Sequence, residues 1–157
     1  VAPVAAQVMA TGERIPIAAD HAGFEMKQKL VGVLRRLGYQ PDDLGAPTPE
    51  PSDYPDYAHP VAHAVSIGEV KRGVLLCGSG IGMDIAANRH PHVRAALAWN
   101  AEIAQLSRRH NDSNILVLPS RFMSEDEAEK SLKTWLETPF EGGRHERRVE
   151  KIDQETE

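Results

Sequence analysis

The chain has 157 residues, 41% of them hydrophobic and 26% charged, with a formal net charge of −5 at pH 7. That length suits one domain with one substantial core, and the composition is that of an ordinary globular protein. A negative balance without a basic block argues against nucleic acid, and no apolar run approaches the roughly 20 residues that span a bilayer.

The single cysteine excludes an internal disulfide and points to a reducing, cytoplasmic setting. Residues 1–13 lack a basic n-region and an apolar h-region, so they read as a flexible arm rather than a signal peptide. Residues 14–157 then form a single domain.

Residues 15–19 are a short apolar run closed by Asp20-His21, the first predicted strand. Over 23–37, Phe24, Leu30, Val31, Leu34 and Leu37 recur at helical spacing, and Gly38 supplies the stop. A weak second strand covers 39–44. The proline-rich stretch 45–55 reads as an exposed loop, and Asp53 as the N-cap of a helix over 54–67 that Gly68 ends. Strands follow at 74–77, 94–99 and 115–118, with helices at 81–88, 101–109, 124–138 and 144–152. Ser124, three residues before Glu127, opens its helix as a capping box. This alternation predicts an α/β fold, a three-layer Rossmann-like sandwich whose five-stranded parallel sheet, with the first strand central, is flanked by helices. Ligands of such folds gather at the strand C-termini, where Asp20-His21, 77–82, Asn100 and 119–121 all fall.

The most informative of these is Cys77-Gly78-Ser79-Gly80-Ile81-Gly82, a strand that ends in a thiol and turns through three glycines into a helix. Backbone N–H groups and a helix start then surround one point that attracts negative charge, and a cysteine beside it is placed to act as a thiolate base or nucleophile. Without a ligand the same motif would be a tight turn, and a cysteine alone a small buried hydrophobe. Met83 stands where a dinucleotide fingerprint needs its third glycine, and no Gly-Lys-Ser/Thr occurs, so no nucleotide cofactor is expected.

His110-Asn111-Asp112 follows the 101–109 helix, and reads equally as an acid–base group with a polar partner or as helix capping. Arg144 and Arg148 lie four apart on one helix face and could clamp a phosphate, although by spacing alone a solvated charged face is the better reading. His59 and His63, and His90 and His92 around Pro91, lack a third ligand, so surface histidines and no metal are expected. A thiol hydrolase built on Cys77, His110 and Asp112 is a rival, but nothing marks an acyl pocket.

Five motifs occur in order: Asp20-His21-Ala22-Gly23-Phe24, Asp53-Tyr54-Pro55, Cys77 to Gly82, Arg109-His110-Asn111-Asp112 and Glu141-Gly142-Gly143-Arg144-His145. On these, residues 14–153 resemble the type B ribose-5-phosphate isomerases, a group that includes galactose- and allose-6-phosphate isomerases. The resemblance implies metal-free, cofactor-free interconversion of D-ribose 5-phosphate and D-ribulose 5-phosphate through an enediolate. It implies Cys77 as the base between C2 and C1 and His110 as the acid–base in ring opening. It further implies substrate or phosphate contacts from Asp20, His21, Tyr54, Gly78, Ser79, Gly80, Ile81, Gly82, Asn111, Arg121, Arg144 and Arg148. Members are homodimers or larger, with each site drawn from two chains. Some members use a glutamate where this chain has Met83, so the thiol branch fits here. A hexose-6-phosphate isomerase and a non-catalytic sugar-phosphate-binding module are the alternatives.

Overall fold

The computed structural model describes residues 12–154; the expected arm falls almost wholly outside them. Five strands, β1 (Arg14–Ala19), β2 (Gln40–Asp43), β3 (Gly73–Cys77), β4 (Ala95–Leu97) and β5 (Ile115–Pro119), pair in parallel in the order β2-β1-β3-β5-β4. The middle strand is therefore β3, not the first strand as expected; β1 lies one place towards the edge. This arrangement puts the thiol-bearing strand where its neighbours β1 and β5 deliver Asp20 and Ser120 to either side of Cys77.

Among the described residues there are six α-helices, α1 (Phe24–Arg36), α2 (Tyr54–Ser66), α3 (Ile81–Ala87), α4 (Ala101–Asn111), α5 (Glu125–Glu137) and α6 (Arg144–Glu150); the first five flank the sheet and α6 packs on α4. Side chains of a strand alternate between faces, and β3 shows it: Val74 and Leu76 enter one apolar layer, Leu75 and Cys77 the other. The first layer includes Leu30 and Leu34 of α1, Ala104 of α4, and Leu132 and Trp135 of α5; the second packs Ala58, Val61 and Ala62 of α2 and Met83 of α3.

Several element ends depart from the expectation. The fourth strand is only three residues long: on one side the Arg94 amide donates to Asn114 Oδ1 at 2.7 Å, and on the other the chain turns into Trp99 and Asn100. Asp53 occupies the N-cap position of α2 but makes no capping bond, whereas Ser124 Oγ accepts from the Glu127 amide at 3.1 Å as the motif predicts. Helix α4 runs on through His110 and Asn111 and ends at Asp112, which adopts a left-handed φ of 47°. His110 is thus in the last turn of a helix rather than in a loop, and its position along the helix axis is fixed.

Candidate functional site

Crossover helices in a parallel sheet run antiparallel to the strands, so a helix that starts at the strand C-termini ends at the strand N-termini. Helix α4 starts beside Asn100, near the C-terminal edge, and its eleven residues span about 16 Å and end on His110 and Asn111. The fourteen expected site residues consequently fall into two groups at opposite edges of the sheet.

The first group surrounds Cys77. Its side chain is 5% exposed, at the end of the layer formed with Leu75, Val117 and Ala18. Its carbonyl accepts from the Ser120 amide at 2.9 Å and from Ser120 Oγ at 3.1 Å, which ties the ends of β3 and β5 together. Gly80 sits at a left-handed φ of 79°, where an added Cβ would also overlap Leu97, so the turn needs glycine. A Cβ on Gly82 would lie 2.6 Å from the Tyr54 ring, and one on Gly78 3.1 Å from the Arg121 guanidinium. Those approaches place Tyr54 and Arg121 directly against the glycine loop.

Ser79 Oγ accepts from the Ile81 amide at 3.2 Å, so that amide, expected to face a ligand, is already taken. The amides of Ser79, Gly80 and Gly82 have no partner among the described residues. Asp20 is buried and spends Oδ1 on the amides of Ala22 and Gly23, at 3.0 and 3.2 Å. This Asx turn sends His21 out over the edge. His21 in turn meets Ser52: its amide donates to Ser52 Oγ at 3.2 Å and its Nδ1 accepts from the Ser52 amide at 3.1 Å.

The second group lies at the other edge. His110 stacks on His145, with ring centroids 4.4 Å apart and planes 13° from parallel. The Glu141 amide donates to the Arg109 carbonyl at 3.1 Å, which docks the loop before α6 onto the end of α4. Arg144 and Arg148 are exposed on that short helix, one turn apart beside His110. His145 is buried, and burial first, then the charges of His110 and Arg144, hold its pKa below the usual histidine value. Asp112 is gripped by Arg108 at 2.8 Å and by Arg94 at 3.4 Å. It therefore closes a helix end and is not available to a Cys77–His110 triad, whose members one chain also keeps apart.

Among the described residues, His110, Glu141 and His145 bring possible metal-binding atoms within 4.8 Å of one another. The near-parallel rings aim their in-plane lone pairs side by side instead of at one point, so this stack does not offer tetrahedral coordination. His59 and His63 are exposed, and His59 Nδ1 lies 2.8 Å from His90 Nε2. Clefts of about 460 and 590 Å³ are lined by Gln105, Arg109 and Glu141, and by Arg72, Arg94 and Arg108; neither borders Cys77, so cleft size does not single out the site.

Two side chains went unread in the sequence. Ser52 sits in a proline-rich loop that looks featureless, and Lys27 lies on the face of α1 that a charge would be expected to avoid. Lys27 is fully buried; its ammonium donates to Asp43 Oδ1 at 2.7 Å and to the Ala46 carbonyl at 2.9 Å, pinning the loop that carries Ser52. Its position at helical spacing among Leu30, Val31 and Leu34 was the only available signal.

Residues 15–152 match the Ribose/Galactose Isomerase family. The chain is 43% identical over 140 residues to ribose-5-phosphate isomerase B of Escherichia coli (strain K12), covering 89% of this chain and 94% of that protein. It is 38% identical over 139 residues to the D-erythrulose-4-phosphate isomerase of Pectobacterium atrosepticum, covering 88% and 91%. Among solved structures, a ribose 5-phosphate isomerase from Thermotoga maritima matches with a TM-score of 0.87 and 48% identity, over 90% of this chain and 97% of that one. No described helix is long and apolar enough to cross a membrane.

Proposed function

The chain belongs to the ribose/galactose isomerase family, and on that premise we propose that it interconverts D-ribose 5-phosphate and D-ribulose 5-phosphate by moving a proton between C2 and C1. The observation that carries the reading is a thiol at the end of the middle strand, beside three amides without partners among the described residues, in a chain so similar to enzymes of that name.

A sugar C–H is a weak acid, and its proton leaves only if the charge that develops on the neighbouring oxygen is stabilised at once. Cys77 as thiolate takes the proton from C2 of the open-chain aldose, the amides of Ser79, Gly80 and Gly82 receive the charge that develops on O1, and the proton returns at C1 as the O2 hydroxyl proton passes to O1. Arg121, lying on Gly78, and His21, held by Ser52, orient the sugar. Tyr54 packs on the glycine loop and walls the site.

Opening the furanose ring is a separate proton transfer, and His110 is its acid–base group. Asn111 binds a sugar hydroxyl, and Arg144 and Arg148 bind the phosphate as a paired cation. Because one chain holds these residues an edge away from Cys77, the working site combines the Cys77 edge of one copy with the His110 edge of another. The exposed apolar side chains Ile81, Ile85 and Trp99 beside the Cys77 edge suit that contact.

Proton NMR of D-ribose 5-phosphate with the protein in deuterated water tests the reading. Ribulose 5-phosphate should form, with deuterium entering at the transferred position to the extent that the thiol exchanges with solvent. Binding without turnover would leave only a sugar-phosphate-binding module. Faster turnover of D-erythrulose 4-phosphate or of a hexose 6-phosphate would reassign the substrate.

A further inference from the structure

We propose that Ser52 is a positioning residue that fixes the His21 imidazole as its Nε2–H tautomer, so that this nitrogen donates to an oxygen of the sugar phosphate. The proposal rests on the reading above that His21 touches substrate.

Ser52 grips His21 at two points, through its amide to Nδ1 at 3.1 Å and through Oγ from the His21 amide at 3.2 Å. A ring nitrogen that accepts a hydrogen bond carries its lone pair, so in the neutral ring the proton must sit on the other nitrogen. A hydroxyl facing Nδ1 could donate or accept and would leave the tautomer open. A backbone N–H can only donate. Nε2 has no partner among the described residues and is left as a donor, which suits the lone pairs of a phosphate or hydroxyl oxygen. The opposite tautomer would turn a lone pair towards them.

Ser52 can hold the ring because its loop is itself tied down. The Ala19 amide donates to the Gly45 carbonyl at 2.8 Å and the Ala46 amide to the Ala19 carbonyl at 2.7 Å, with buried Lys27 bridging Ala46 and Asp43. Beyond Ser52 the chain enters α2 at Tyr54, whose ring rests on Gly82. The loop is anchored at both ends against the strands that deliver Asp20 and Cys77.

Two-bond 1H–15N spectra of the ligand-free full chain, recorded where the His21 ring is neutral, read the tautomer directly. The wild type and Ser52→Thr, which keeps both groups, should show Nε2–H. Ser52→Pro, which lacks the amide donor, should show a tautomer mixture, and its KM for ribose 5-phosphate should rise about 10-fold with kcat within about 2-fold. Ser52→Ala keeps the donor but loses the Oγ anchor and should fall between, so it serves if the proline variant does not fold. A proton on Nδ1 in the wild type overturns the proposal, as does a wild-type tautomer in Ser52→Pro. If Ser52→Pro shifts the tautomer without moving KM while His21→Gln raises KM, the Ser52 role falls alone. If His21→Gln is also silent, His21 does not touch the sugar, and the site assignment falls with the proposal.

Discussion

At the strand C-termini, Cys77, His21, Tyr54 and Arg121 are held by bonds and close contacts that run through the backbone of β3, β5 and two loops. At the opposite edge, Arg144 and Arg148 project from a seven-residue helix, and His110 leans on one stacked imidazole. The first edge is held in shape by bonds within the chain. The second is a set of exposed cations around a stacked histidine, set apart from Cys77 among the described residues. The two edges are built differently and lie about 16 Å apart along α4, which is the observation behind the proposal that the site is shared between two copies.

The largest effect should come from the Cys77 edge. Cys77→Ala should lower kcat by about 10³-fold or more while sugar-phosphate binding, followed by calorimetry, stays nearly intact. Equal loss of binding and turnover would make Cys77 a packing residue and remove the distinction between the edges. At the other edge, His110→Ala should slow turnover of the cyclic sugar about 10²-fold and an open-chain substrate far less. Equal damage to both substrates would end its ring-opening role.

Rigidity of the first half-site is tested by Gly80→Ala, which combines a left-handed φ with overlap on Leu97. It should destabilise the chain by about 2–4 kcal/mol in denaturant unfolding. A neutral result would mean that the loop adapts freely and that preorganisation is not its property.

The smallest effect concerns Asp84 on α3, half-buried, with an Oδ1 that has no partner among the described residues. Burial raises its pKa from 3.8 to about 6. A folded-state pKa above the unfolded one means stability that is fully present below the unfolded value and is lost as pH rises through about 6. Asp84→Asn should therefore match the wild type near pH 4 and exceed it at pH 8 by about 1 kcal/mol, after allowance for the carboxyl's contact with water. An advantage that does not depend on pH would show that Asp84 finds a partner when folded.

Sequence periodicity was sufficient for the strands because β1, β3 and β5 are buried on both faces and read as unbroken apolar runs. Strand order was not legible in the same way: nothing local to residues 14–19 tells whether one or two strands lie beyond them. The thiol and its glycines were visible because a chemical group and its turn are contiguous. Ser52 and Lys27 were not, since each matters through partners 31 or 16 to 19 residues away. The separation of His110 from Cys77 follows from the direction in which α4 runs, a property of topology that residue types do not display. His145 illustrates the same limit, as its role against His110 arises only where α6 folds back on α4.

Subunit complementation tests the shared site most directly. Cys77→Ala and His110→Ala proteins, each slowed at least about 10²-fold on cyclic ribose 5-phosphate, are mixed under conditions that exchange subunits. The hybrids, counted by native mass spectrometry, each contain one site with both residues intact. For random exchange between dimers, activity should return to about a quarter of the wild-type value. Hybrids that form in the expected proportion yet stay inactive would contradict a site built from two copies.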